Sequence, residues 1–207
     1  SSGGGNHFVE FGIVKLDNPL PEWKLEAKEY IAVLSHSGSR GLGANIAKHY
    51  TYLASKQCPL PKNVQHLAWL DLNTHDGQEY WMAMNLAGEY AKACHEDIHR
   101  RLAKALGKRI VVTIENHHNF AWKEMVDGKE CIVHRKGATP AAKGQLGIIP
   151  GSMTAPGFIV IGKGNEDSLQ SASHGAGRLF SRAKCKATFT QSQIKKILAD
   201  NDVTLIG

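Results

Sequence analysis

The feature that most constrains how this chain can fold is an apolar rhythm near its middle. Tyr80, Met84, Ala87, Ala91, Cys94, Ile98, Leu102 and Ala105 recur at three- and four-residue intervals, the spacing that lines one face of an α-helix. The pattern predicts a long amphipathic helix from Gly77 to Leu106, opened by Asp76 with Glu79 three residues on as a capping box, and closed at Gly107. Such a stripe has to be buried against other elements of the chain.

Those elements read as short strands and shorter helices. The β-branched and aromatic runs at 7 to 14 and 30 to 34 are split by a polar, proline-containing turn and read as a strand pair. Helices are expected at 43 to 55 and 192 to 199, and further strands at 110 to 114, 130 to 134 and 158 to 161. Glycine-rich loops are expected at 136 to 151 and 162 to 165. No internal repeat or low-complexity linker occurs, so the sequence predicts a single α+β domain with mixed or antiparallel strands around the long helix. With 207 residues, 42% of them hydrophobic, the chain can bury a core, which excludes disorder.

Other bulk properties narrow the class. No run of eighteen apolar residues and no secretory signal pattern is present, so the chain reads as soluble, unexported and cytoplasmic. Cys58, Cys94, Cys131 and Cys185 are widely spaced without a C-x-x-C pair, which fits reduced thiols better than a disulfide framework or a zinc finger. The net charge is +6, and between 163 and 196 seven Lys or Arg stand against two acids, Glu166 and Asp167. A polyanion is the partner such a stretch suits; a solvated basic face is the plainer reading. The chain opens on Ser1-Ser2-Gly3-Gly4-Gly5 without an initiator methionine and stops as a strand-like run finishes, so it reads as a piece of something longer, truncated at both ends.

Five segments carry chemistry. Ser173-His174-Gly175-Ala176-Gly177-Arg178 sets one imidazole among small residues with a guanidinium four positions on. A neutral imidazole can attack phosphorus at neutral pH, and Arg178 and Arg182 can neutralise charge on phosphate oxygens; a buried histidine at a helix start is the alternative. Gly3-Gly4-Gly5-Asn6-His7-Phe8-Val9-Glu10 places glycines, whose amides can cradle phosphate, before a strand carrying His7 and Glu10. Ser35-His36-Ser37-Gly38-Ser39-Arg40 follows the second strand and leads into a helix, positioning His36 for a metal and Arg40 for a phosphate, or else forming a polar turn with a capping serine. In Glu115-Asn116-His117-His118-Asn119, neighbours on extended backbone face opposite sides, so at most one histidine should join His7 and His36 in a transition-metal site suited to manganese, iron or zinc. Arg135 to Pro140 and Gly147 to Met153 form a long region of basic, small and hydroxyl residues, suited to nucleotide recognition or to an ordinary Ω-loop.

Taken in order, Gly-Gly-Gly-Asn-His-Phe, His-Ser-Gly-Ser-Arg-Gly, His-His-Asn, Arg-Lys-Gly-Ala-Thr-Pro-Ala, Gly-Ile-Ile-Pro-Gly-Ser-Met and Ser-His-Gly-Ala-Gly-Arg closely resemble the RtcB family of RNA ligases over nearly the whole chain. The resemblance implies the central and catalytic portion of an RtcB-like domain. It implies a GTP- and Mn²⁺-dependent enzyme that joins an RNA 3′-phosphate or 2′,3′-cyclic phosphate to a 5′-hydroxyl, as in tRNA splicing and RNA repair. His174 would attack the α-phosphate of GTP, expel pyrophosphate and carry GMP to the RNA. His7, His36 and His118 match the manganese ligands. Asn6, His7, Phe8, Val9, Glu10, His118, Asn119, Pro150, Gly151, Ser152, Met153, Gly157, His174, Gly175, Ala176 and Gly177 match the guanylate-contacting segments, with Gly157 standing where many relatives would carry serine. Arg40, Arg178 and Arg182 would hold phosphate, and the basic stretch from 163 to 196 would follow the RNA backbone.

The family's further metal ligands, an aspartate and a cysteine in an Asp-x-Gly-Cys-Gly segment, and its late guanine-holding lysine have no counterpart in this sequence. A non-catalytic RNA-binding fragment is therefore the second reading, and a metallohydrolase that activates water with the histidines is the third.

Overall fold

The computed structural model describes residues 7–175 and 179–206, and it divides the chain into two compact units, Ser1–Val112 and Thr113–Gly207. The helices and strands are mixed as expected for α+β, and every strand pair among the described residues is a two-stranded antiparallel ladder.

In the first unit, β1 (Phe8–Lys15) pairs with β2 (Glu29–His36) in a register that sets Phe8 opposite His36 and Ile13 opposite Ile31. Residues 37 to 41 then turn the chain into α1 (Leu42–Gln57), with Arg40 (φ 56°) and Gly41 (φ 91°) both left-handed. A left-handed arginine is uncommon, and here it lets the chain reverse within a few residues.

The long helix is α2 (His75–Ala105). Its cap differs from expectation: Thr74, not Asp76, is the N-cap, and its hydroxyl accepts the Gly77 N–H at 3.2 Å. Thr74 is extended (ψ 160°), so its side chain can reach back over the first turn, whereas Asp76 already lies inside the helix. Gly107 (φ 62°) follows the helix as expected. Ala87 is buried, and Tyr80, Met84, Ala91, Cys94, Ile98 and Leu102 are half-buried, so the periodic face is the packed one up to Ala105, which is exposed. Tyr80 meets Tyr50 of α1 with ring centroids 5.2 Å apart.

The expected strand at 110 to 114 is not formed. Val111 and Ile110 remain exposed, and the boundary between the units falls at Val112. An apolar run becomes a strand only when a neighbour takes its backbone hydrogen bonds, and no ladder among the described residues includes this one.

The second unit is built from three such ladders. β3 (Asn119–Val126) pairs with β4 (Lys129–Lys136) across Asp127-Gly128, both with positive φ (49° and 75°), which is what a tight two-residue hairpin turn demands. The region from 136 to 151 contains strands where a loop is expected: β5 (Ala138–Pro140) and β6 (Leu146–Ile149). They pair with β8 (Ser171–Ser173) and β7 (Phe158–Ile161) respectively. Pro140 in β5 and Gly147 in β6 interrupt the apolar run by which β7, of the same length as β6, is visible. Two helices finish the unit: α3 (Arg182–Thr188), capped by Ser181, and α4 (Gln191–Ala199), opened by a Thr190–Gln193 capping box.

The core of the second unit holds Ala121, Val133, Leu146 and Leu198 together with two polar residues, Thr139 at 2% exposed and Arg135 at 3%. Arg135 lies over the Trp122 ring, 5.0 Å from its centroid, and donates to both carboxylate oxygens of Glu124 at 2.6 and 2.8 Å. It also donates to the Ser171 hydroxyl and the Leu169 carbonyl. All three guanidinium nitrogens donate, which is how a charge stays buried at tolerable cost.

Candidate functional site

Each unit carries one pair of the expected histidines. In the first unit, His7 directly precedes β1 and His36 ends β2, and their ring centroids lie 6.5 Å apart. The Phe8–His36 register explains the closeness, since Phe8 stacks on the His36 ring at 5.4 Å with an interplanar angle of 15°. The Nδ1 atom of His7 is buried and has no hydrogen-bond partner among the described residues. Leaving such an atom unpaired costs about 1–3 kcal/mol, and a cation in the adjoining space is one way to recover it. Two imidazoles side by side, one with a buried unpaired nitrogen, form a donor set that fits a first-row divalent ion.

The loop that follows β2 presses on this pair. A Cβ placed on Gly38 would sit 3.9 Å from Nε2 of His7. Ser39 accepts the Gly43 N–H at 2.8 Å, tying the loop to α1. On either side of His36, Ser35 bonds His99 Nε2 at 2.8 Å and Ser37 bonds His95 Nε2 at 2.7 Å. Burial holds the His99 imidazole below its ordinary pKa, and desolvation pushes the Glu10 carboxyl above the usual carboxylate range. His95 and His99 were not singled out from sequence; their four-residue spacing on the packed side of α2 was the available signal.

Elsewhere in this unit, His75, Asp76 and Glu79 bring ligand atoms within 4.8 Å of one another on the first turn of α2. There the His75 ring stands 3.8 Å from each carboxylate and is largely exposed, the arrangement of surface ion pairing.

In the second unit the ends of two ladders converge on Gly137. The Gly137 N–H donates to the His118 carbonyl at 2.8 Å, and the Gly137 carbonyl accepts from Nδ1 of His174 at 2.8 Å and from the His174 backbone N–H at 3.3 Å. This double turn needs the left-handed conformation of Gly137 (φ 70°). The His118 and His174 rings are stacked, 4.6 Å apart and 14° from parallel. His117 instead lies 3.5 Å from the Glu115 carboxylate and 5.4 Å from the Phe120 ring, so the adjacent histidines meet different neighbours.

A carbonyl oxygen only accepts, so Nδ1 of His174 carries the proton in this bond and Nε2 keeps its lone pair. An imidazole held in that tautomer, half-buried and next to a stacking ring, has the chemistry of a nucleophile, with its lone pair at Nε2.

The other expected residues of this unit gather around the same point. A Cβ on Gly175 would stand 3.5 Å from the Pro150 carbonyl oxygen, so Gly175 lies beside Pro150. Gly157 abuts the same stretch: a Cβ there would meet the Ile149 carbonyl at 3.1 Å and Gly151 N at 3.3 Å, which suits glycine better than serine. Ser152 closes a turn by accepting the Ala155 N–H at 3.1 Å, and Met153 is exposed. Asn119 opens β3 opposite Lys136.

Asn116, quoted in a motif but given no role, turns out to brace this region. It donates to Thr139 at 3.0 Å and exchanges bonds with the Ile148 backbone. Asn6, Ala176, Gly177 and Arg178 lie outside the described residues, as does the side chain of Arg182, whose backbone opens α3.

All four cysteines are free, and no described helix is long and apolar enough to cross a membrane. A model of the family described as tRNA-splicing ligase RtcB matches residues 1–206. The RNA-splicing ligase RtcB of Escherichia coli (strain K12) is 36% identical over 207 residues, an overlap of 92% of this chain and 50% of that protein. The tRNA-splicing ligase RtcB of Nanoarchaeum equitans is 33% identical, covering 96% of this chain and 48% of the relative. That of Methanocaldococcus jannaschii is 32% identical, covering 100% and 25%. The chain thus spans about half the length of several curated relatives, and its match to the family runs through both units: it belongs to the RtcB family.

Proposed function

We propose that this chain carries the nucleophile and part of the metal site of a cytoplasmic, GTP- and manganese-dependent RNA ligase, which joins RNA 3′-phosphate or 2′,3′-cyclic phosphate ends to 5′-hydroxyl ends. The observation that supports this most is the fixed tautomer of His174. In this reading Nε2 of His174 attacks the α-phosphorus of GTP, the bond to pyrophosphate breaks, and a phosphorus–nitrogen bond to GMP takes its place. The RNA 3′-phosphate then accepts GMP and frees the imidazole. The 5′-hydroxyl displaces GMP to close the phosphodiester.

The chain's own residues orient, shield and neutralise. Gly137 holds the proton on Nδ1 throughout, so the leaving imidazole is neutral when GMP departs. Pro150 to Met153, Gly157 and Gly175, which run beside one another, would take the guanylate, together with Asn6 to Glu10, His118, Asn119, Ala176 and Gly177. His7, His36 and His118 would hold Mn²⁺, and the orphaned Nδ1 of His7 supports its share in that role. The ion, when bound, supplies charge neutralisation at phosphate oxygens. Arg40, Arg178 and Arg182 would add fixed cationic donors, and the basic stretch from 163 to 196 would track the RNA backbone.

The test is to incubate the full-length protein with labelled GTP and Mn²⁺. Acid-labile, base-stable label that disappears in His174→Ala is the expected result. Label that survives the substitution removes His174 from its role; RNA bound without label points to the binding reading, and RNA cleaved without label to the hydrolase.

A further inference from the structure

The end of β2 is tied twice to the long helix, and the two ties match in length. Ser35 lies in β2 and Ser37 just past its end, two residues apart and so at most about 6.8 Å along the chain. His95 and His99 are four residues apart on α2, about 6 Å along its axis and on one face. Ser35 meets His99 at 2.8 Å and Ser37 meets His95 at 2.7 Å, so strand and helix run in opposite directions past each other with the register set by two hydrogen bonds. His36 is the residue between them. Because successive side chains on a strand leave on opposite faces, anchoring Ser35 to the helix sends His36 the other way, onto Phe8 and beside His7. One tie would let the segment pivot; two fix both its position and its rotation.

We propose that His95 and His99 are positioning residues for the metal-binding pair, clamping the peptide on both sides of His36 so that its imidazole and that of His7 are held ready for a divalent cation. The clamp rests on the reading of His36 as a ligand. Its chemistry suits the place: an imidazole can bond a hydroxyl without carrying charge, whereas lysine or arginine in the same position would repel the cation the loop is built to receive. The Ser37 tie also holds Gly38 over Nε2 of His7, so loosening the clamp disturbs both imidazoles.

The experiment is a Mn²⁺ titration of the metal-free full-length protein, followed by the electron paramagnetic resonance of the free ion, with circular dichroism of each variant as a check on folding. Loss of outer groups that orient ligands typically weakens metal binding by about 10- to 100-fold. Ser35→Ala/Ser37→Ala, which leaves the α2 packing intact, should weaken affinity by at least about tenfold, and His95→Leu/His99→Leu by as much. His95→Gln/His99→Gln, which keeps a side chain able to bond a hydroxyl, should recover part of the loss. If the serine variant is folded and binds within about twofold of wild type while His36→Ala loses binding, the clamp is wrong and the ligand reading stands. If His36→Ala itself binds like wild type, the ligand reading fails and the clamp with it.

Discussion

His7 and His174, one in each unit, differ in what their Nδ1 atoms meet. Nδ1 of His7 is buried without a partner among the described residues, and the loop beside its Nε2 atom is held by hydrogen bonds to other side chains. In the second unit, Nδ1 of His174 is committed to the Gly137 carbonyl. An orphaned nitrogen invites a cation; a committed one leaves its opposite atom as a nucleophile. In the function proposed above, the same side chain thus serves two kinds of chemistry, set by backbone geometry a few residues away: a strand end and a serine-rich loop in one case, a left-handed glycine joining two ladders in the other.

The sharpest way to break this contrast is His174→Ala. Nucleotide transfer should fall at least about 1000-fold, while Mn²⁺ affinity measured on metal-free protein changes little, because the two roles are held by different imidazoles. Comparable loss of both would merge the roles. Arg135→Met removes the buried cation that joins β3, β4 and the segment before His174. It should cost about 3 kcal/mol of stability in urea unfolding, since Glu124 is left without its partner. A cost below about 1 kcal/mol would mean the network does not hold the second unit's core.

A finer probe is Gly137→Ala. A Cβ there would lie 3.6 Å from the His174 ring, an ordinary contact, so the expense comes from the left-handed backbone, about 1 kcal/mol. Guanylylation should slow about tenfold, while Mn²⁺ affinity, which Gly137 reaches only through the His118 backbone carbonyl, falls by a smaller factor. Equal loss in both would deny that Gly137 acts chiefly on His174.

The smallest effect concerns His99, whose pKa is lowered by burial. The folded state resists its protonation, so its contribution is full above about pH 6.5, the ordinary histidine value, and is lost as the pH falls below it. Urea midpoints between pH 7.5 and 5 should fall more for wild type than for His99→Gln. Parallel curves would place the acid sensitivity elsewhere.

Much of this was legible in the sequence, and unevenly so. The stripe from Tyr80 to Leu102 marked α2 because a period held over 23 residues averages out local exceptions. β1 and β2 were visible for another reason, as β-branched and aromatic runs on either side of a polar turn. The strand expected at 110 to 114 failed because a β-branched run says nothing about whether a partner is present. β7, only four residues long, was visible as an unbroken Phe-Ile-Val-Ile run, whereas proline, glycine and small residues hid β5, β6 and β8.

The site followed the same logic. Histidines are visible by residue type, so His7, His36 and His174 could be singled out from their segments, whereas the choice of His118 over His117 came only with the family resemblance. What surrounds them could not be read: Gly137, Asn116, His95 and His99 make hydrogen bonds to residues 19 to 64 positions away, contacts that exist only once the ladders and α2 are assembled.

The most direct measurement is the chemical attachment of GMP to the guanylylated full-length protein, located by peptide mass spectrometry and, at the level of the ring atom, by nitrogen–phosphorus coupling in nuclear magnetic resonance. The hydrogen bond from Nδ1 of His174 to Gly137 predicts a single adduct, on His174 through Nε2. An adduct on Nδ1 of that ring, or on any lysine or other histidine, would contradict it.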